Sequence, residues 1–264
     1  MAAVSSRRAF FCACAGAALA AGRAQAQAAA APDARLIDDL VAANRILADQ
    51  GVVDGFGHVS ARHDKRPDRF LLARSMAPGL VTADDILEID LDGAVIDTRG
   101  RTSYAERFIH SEIYRARPDV GAVVHSHAPG VIAFSVTKAP LRPVYHMASF
   151  LGAGAPVFEI RAGAGAETDM LIRSPALGRA LAAKLANSTV VLMRGHGFVA
   201  VGSNVRTAVL HAVYTDVDAR IQAEAMQLGP VTYLSDAEAA KAAATNDGLV
   251  DRPWDVWRTK AMGR

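Results

Sequence analysis

The sequence predicts a single α/β domain whose mixed or antiparallel sheet is flanked by helices. Three observations carry that expectation. Short β-branched runs alternate with amphipathic helical stretches, but without a strict βαβ rhythm. No Pro/Ser/Gly-rich linker divides the chain after its first 28 residues. Hydrophobic residues make up 51% and charged residues 21% of 264 residues, which is enough apolar material for one large core and too much for a disordered chain.

The N-terminus stands apart. Residues 1–28 read as an export signal: Arg7 and Arg8 precede Phe10 and Phe11, an uncharged run extends from Ala9 to Gly22, and Ala24-Gln25-Ala26-Gln27-Ala28 offers A-x-A cleavage sites. The Ser-Arg-Arg-x-Phe-Phe arrangement resembles the twin-arginine signal, which implies a periplasmic protein. The uncharged run is too short to span a bilayer comfortably, so no membrane association is expected once the signal is cleaved. Both cysteines, Cys12 and Cys14, lie inside it, so the mature chain expected at 29–264 has no disulfide and no thiolate metal site. The net charge of +2 falls to −1 on losing three signal arginines, and no nucleic-acid partner is expected.

Each element has a local reason. Asp33 can cap a helix from Ala34 to about Asp49, with Leu36, Ile37, Leu40, Val41 and Leu47 on one face. Strands follow at about Val59–Arg62, Phe70–Ala73 and Ile86–Asp90, and Asp92-Gly93 reads as a hairpin turn leading to Ala94–Ile96. A helix is expected from about Tyr104 to Arg117, stopped by Pro118. Ala122–Ser126 is an apolar strand. Ser174-Pro175 opens a helix to about Ala186. Strands at Thr189–Met193 and Phe198–Val201 flank Arg194-Gly195-His196-Gly197. Ser203 or Asn204 caps a long helix to about Leu228, and Ser235-x-x-Glu238 is a capping box for one final helix. The domain core is thus expected at about 34–228, with a helical tail over 235–264.

The chemistry lies in the histidines. His125 and His127 are two apart at a strand end, so their rings share a face. Two ring nitrogens there can meet one ion at about 2.0–2.1 Å, the zinc–nitrogen distance. His196 lies between two glycines in a turn, where backbone can approach an ion closely. Glu106, just ahead of the strand, can ligate a metal or move a proton beside it; its alternative is complementing a helix dipole. His110, His146 and His211 read equally well as ordinary helix or core histidines.

Taken together, Glu106, Arg117-Pro118-Asp119, Val123-Val124-His125-Ser126-His127-Ala128 and Gly195-His196-Gly197 resemble the class II aldolase/adducin family from about Leu36 to Gln227. The resemblance implies a three-layer α/β/α domain with a central mixed, largely antiparallel sheet. It implies one divalent ion per subunit held by Glu106, His125, His127 and His196, with Glu106 also the acid/base in turnover. Zinc, manganese, iron or cobalt would suit such a donor set. It also implies a homotetramer with sites between subunits.

Departures from the family pattern narrow the substrate. Sugar-phosphate aldolases of the family cradle phosphate with Gly-Asn-x-Ser, a Thr-x-Ser-Gly-like turn and serines before the glutamate. Here those places hold Gly57-His58-Val59-Ser60, Arg74-Ser75-Met76-Ala77-Pro78 and Tyr104-Ala105. His58, Ser60, Ser75 and Tyr104 are therefore the expected substrate contacts, and the phosphate cradle is expected to be lost. By spacing, His146 takes the place of a tyrosine proton donor that the aldolases reach from a neighbouring subunit, and it is a second catalytic candidate after Glu106. The motifs lie closer to a decarboxylase-like branch acting on hydroxylated aromatic carboxylates. The expected activity is thus a metal-dependent carbon–carbon lyase on a small, non-phosphorylated acid, with decarboxylation ahead of retro-aldol cleavage. An adducin-like interaction domain without catalysis is the competing class, disfavoured because all four ligand positions are filled. An amidohydrolase barrel is disfavoured by length.

Overall fold

The computed structural model describes residues 31–263; the expected export signal lies outside them. Among the described residues no helix is long and apolar enough to cross a membrane. The chain forms β1 (His58–Arg62), β2 (Arg69–Ala73), β3 (Ile86–Asp90), β4 (Ala122–Ser126), β5 (Val157–Phe158), β6 (Val190–Met193) and β7 (Gly197–Gly202). They make one seven-stranded sheet in the order β3-β2-β1-β4-β7-β6-β5. Every pairing is antiparallel except β5 with β6, so the sheet is mixed, as the sequence predicts.

Helices cover both faces. On one lie α1 (Ala34–Asp49), α3 (Pro129–Ser135) and α6 (Val205–Leu228); on the other lie α2 (Arg107–Ala116) and α5 (Pro175–Leu185). A single turn, α4 (Arg161–Ala164), precedes α5. The two cores divide along the sheet. Val124, Leu192 and Ala200 pack with Leu40, Ile46 and Val209 on one side. Val123, Val191 and Val199 pack with Ile109, Ile113 and Leu181 on the other. That alternation is the period-two pattern of strands buried on both faces.

Caps fix the helix starts. Asp33 accepts from the Arg35 amide, Ser174 from Leu177, and Asn204, rather than Ser203, from Thr207. Three expectations need correction. The helix expected from Tyr104 begins only at Arg107. Tyr104 is tied by its hydroxyl to the Met76 carbonyl at 2.5 Å, and Glu106 leaves helical geometry at φ −88°, ψ 17°. The arm after Asp92-Gly93 is reduced to one bridge, Ile89 to Val95. The final helix is two: α7 (Asp236–Asp247), with the expected capping box, breaks at Gly248, and α8 (Asp251–Ala261) restarts with Pro253 in its first turn. The tail then packs on its own domain, with α8 against α1 and the Trp254 side chain buried.

Gly197 lets β4 and β7 approach at the point where both carry site histidines. A Cβ there would overlap the Ser126 carbonyl oxygen. Gly197→Ala is therefore expected to cost about 1–3 kcal/mol of stability, read by denaturant unfolding. An unchanged midpoint would show that the strands can part without cost.

Candidate metal centre

β1, β4 and β7 lie side by side, and their register builds the centre. His58 faces His125 across β1 and β4, and His125 faces Val199 across β4 and β7. His127 follows β4 by one residue, and His196 precedes β7 by one. Glu106 enters from the turn before α2. The ligand atoms of Glu106, His125, His127 and His196 all lie within 4.8 Å of one another.

Proton positions decide what this cluster can hold. His125 Nδ1 donates to the Phe198 carbonyl at 3.1 Å, and His196 Nδ1 donates to the Met170 carbonyl at 3.0 Å. Each neutral ring has one proton, so both Nε2 atoms carry bare lone pairs. His127 Nε2 lies 3.0 Å from each of them. A single His127 proton cannot serve both contacts, so at least one is a pair of facing acceptors. Glu106 adds a fourth acceptor: its Oε2 is 3.5 Å from His125 Nε2 and from His196 Nε2, while its Oε1 accepts from the Ile172 amide at 2.9 Å. Four inward acceptors with too few protons among them are a cation's donor set, and three imidazoles with one carboxylate suit a divalent ion. Backbone carbonyls behind His125 and His196 are the orienting partners such ligands use. The residues therefore fit the ion that the sequence implies.

Electrostatics keep the donors ready. Burial, reinforced by His125 and His196, pushes the His127 imidazole down to about 4. Burial and His125 likewise lower His196. Burial raises the Glu106 carboxyl, but the His125 and His196 rings and the Ile172 amide outweigh it and hold it at about 2. Its side chain makes no cap hydrogen bond on α2 and is turned instead to the Ile172 amide and the histidine cluster.

A cleft of about 310 Å³ opens beside the cluster, lined by Phe56, His58, Ser75, Met76, Tyr104 and Leu171 together with Glu106 and His127. A groove of about 630 Å³ over β2 and β3 holds none of the four donors. Of the expected substrate contacts, His58, Ser75 and Tyr104 line the cleft. Ser60 does not: it is fully buried, and its Oγ meets His110 Nδ1 at 2.6 Å and the Tyr114 hydroxyl at 2.8 Å. Strand alternation puts Ser60 on the His58 face of β1, but two residues farther along, where His110 and Tyr114 of α2 cover it. His146 is exposed beside Leu234, Glu238 and Lys241, in a different surface hollow. Within one chain it is not part of the centre. His211, buried with Nδ1 donating to the Val201 carbonyl at 2.7 Å, is a core histidine as expected. Sequence reasoning missed Met170 and Ile172, which act through backbone atoms, and His110, whose buried partners only the fold reveals.

A sheet-based domain with four converging candidate metal donors defines the class of fold, and comparison with known proteins gives its family. Residues 38–223 match the Class II Aldolase and Adducin N-terminal domain, and the chain belongs to this family. It is 37% identical over 235 residues to decarboxylase tropJ of Talaromyces stipitatus, covering 80% of this chain and 88% of that protein. It is 31% identical to a 3,4-dihydroxyphthalate decarboxylase of Arthrobacter keyseri, covering 70% and 76%. The fold is similar to that of L-fuculose 1-phosphate aldolase from Glaciozyma antarctica, with a TM-score of 0.72 at 24% identity over 86% of this chain and 90% of that one.

The metal-free protein has a defined pH response. His127 is depressed from 6.5 to about 4, so between those values the unfolded chain binds more protons than the folded one. Stability of the metal-free protein is expected to be complete above the unfolded value and to fall as pH drops toward the folded one. Thermal unfolding in chelator across that window checks this, and in a His127→Gln variant the slope should shrink.

Proposed function

We propose that the protein is a divalent-metal-dependent carbon–carbon lyase acting on a non-phosphorylated hydroxy acid or hydroxy-aromatic carboxylate, by decarboxylation. One observation carries the reading: the cleft beside the four-donor cluster is lined largely by Phe56, Met76, Ala77, Tyr104, Ala105 and Leu171, with no lysine or arginine. The Tyr104 hydroxyl is committed to the Met76 carbonyl, which leaves Ser75 as the one hydroxyl available to a ligand on this wall. Such a cleft suits a flat apolar body with its polar head at the cluster, and it offers a phosphate dianion little. The two curated decarboxylases similar to this chain support the same direction.

Bound to the four donors, a divalent ion supplies Lewis-acid stabilisation of the negative charge left when the carbon–carbon bond breaks. The chain's own residues do the rest. Glu106, anchored through Oε1 by the Ile172 amide, takes the proton of the substrate hydroxyl and returns it to the carbon from which carbon dioxide has left. The apolar walls exclude water from that carbon. Assembly into a tetramer and export to the periplasm by the twin-arginine route belong to the same reading. In a tetramer a neighbour's His146 could approach the cleft, and sedimentation with cell fractionation tests both points.

With zinc or manganese restored, carbon dioxide release from a panel of hydroxybenzoates is expected, and Glu106→Gln should reduce it by about 10²-fold or more. Turnover of sugar phosphates alone would overturn the substrate assignment; full activity in Glu106→Gln would remove Glu106 from the acid/base role, and a metal-loaded wild type that turns over nothing would favour a non-catalytic interaction domain.

A further inference from the structure

Behind the cleft lies a buried hydrogen-bond chain that the metal cluster does not use. His58 Nδ1 meets His110 Nε2 at 2.7 Å, His110 Nδ1 meets Ser60 Oγ at 2.6 Å, and Ser60 Oγ meets the Tyr114 hydroxyl at 2.8 Å. All four residues are buried. Phe70 lies against the His110 and Tyr114 rings, and the Arg62 guanidinium lies over the Tyr114 ring. Water has no entry along this path, so the donors and acceptors must match one another.

The match fixes a direction. Burial pushes the Tyr114 hydroxyl well up, so it keeps its proton. The partner found for that proton is Ser60 Oγ. Ser60 must then donate its own proton onward, to His110 Nδ1. Burial holds the His110 ring neutral, pushed down to about 3, so its one proton is on Nε2 and is given to His58 Nδ1. A neutral His58 is left with its proton on Nε2. The opposite direction would strand the buried Tyr114 proton without an acceptor. Among the described residues His58 Nε2 has no hydrogen-bond partner, and it is not among the sealed, unsatisfied atoms. His58 lines the cleft with Tyr104 and Glu106, and its ring is tilted against its neighbours, with centroids 4.5 Å from Tyr104 and 5.1 Å from His125.

We propose that Tyr114, Ser60 and His110 hold His58 as its Nε2–H tautomer, so that His58 presents a fixed hydrogen-bond donor to an anionic oxygen of the substrate beside the metal centre. The assignment rests on the cleft being the substrate site, as proposed above. It gives His58 the place of an oxyanion donor: a neutral N–H, aimed in advance, stabilises developing charge without reorganising. Ser60, His110 and Tyr114 are positioning residues and touch no substrate. The aligned donor selects substrates with a carboxylate or phenolate oxygen over neutral hydroxy-carbonyl compounds.

The test reads the tautomer directly. In zinc-loaded full-length protein carrying ¹⁵N-labelled histidine, with His58 assigned through His58→Gln, long-range proton–nitrogen correlation is expected to place the His58 proton on Nε2. Ser60→Ala removes the group that orders His110 and should yield a mixture of His58 tautomers, while Ser60→Thr restores one. Salicylate, used as the anionic-oxygen probe, should shift the His58 Nε2 signal and bind Ser60→Ala about tenfold more weakly than wild type. A wild-type proton on Nδ1 overturns the proposal, as does equal salicylate affinity in both proteins without a His58 shift. The tautomer is read without turnover. A protein that decarboxylates nothing yet shows the Nε2–H form therefore refutes the lyase reading and still supports the relay.

Discussion

Two bare imidazole nitrogens, on His125 and His196, crowd against a third on His127, and the Glu106 carboxylate faces the same space. Mutual repulsion of acceptors is the constraint on which the rest of the structure depends. Without a cation the arrangement is unfavourable, so the scaffold must hold it. The sheet does this by pairing β4 with β7 so that both histidine-bearing ends meet, with Gly197 admitting the contact. The Phe198 and Met170 carbonyls then take the outer ring protons and prevent either ring from turning its N–H inward. The Ile172 amide pins the carboxylate from the far side. Phe198 and Ile172 are buried in the two cores and Met170 packs against one of them, which ties these backbone supports to the fold.

The same economy of protons extends outward from the centre. His58 lies on β1 directly across from His125, and its back edge joins a closed relay ending at Tyr114. The metal cluster is short of protons, whereas the relay has one to present. A four-donor cluster suited to a cation and, in the proposed tautomer, an aimed donor therefore flank the same cleft, which is lined largely by apolar side chains. That juxtaposition is what a reaction leaving negative charge on an oxygen requires.

Much of this was legible in the sequence, for physical reasons. The starts of α1, α5 and α6 follow from capping side chains that act over two or three residues, and β4 from an apolar, β-branched run. His125 and His127 share a face because strand periodicity leaves no alternative. Glu106 and His196 were identifiable as members of a motif, but nothing local reveals that they meet. The helix start was misplaced because Tyr104 and Glu106 are drawn away by Met76 and Ile172, partners 28 and 66 residues distant in the chain. Ser60 reads from its motif position as a cleft residue, because that position says nothing about depth. His110 reads as a core histidine in any helix; only the meeting of β1 with α2 turns it into a relay. The split between α7 and α8 was missed because a lone Gly248 is weaker punctuation than the capping box ahead of it.

Whether the four converging donors hold a divalent ion is read most simply by elemental analysis. Plasma mass spectrometry of the purified protein, beside a His125→Ala/His127→Ala variant, is predicted to find a divalent metal stoichiometric with the wild-type chain and absent from the variant. A folded wild-type protein that stays empty after dialysis against zinc and manganese would contradict the account.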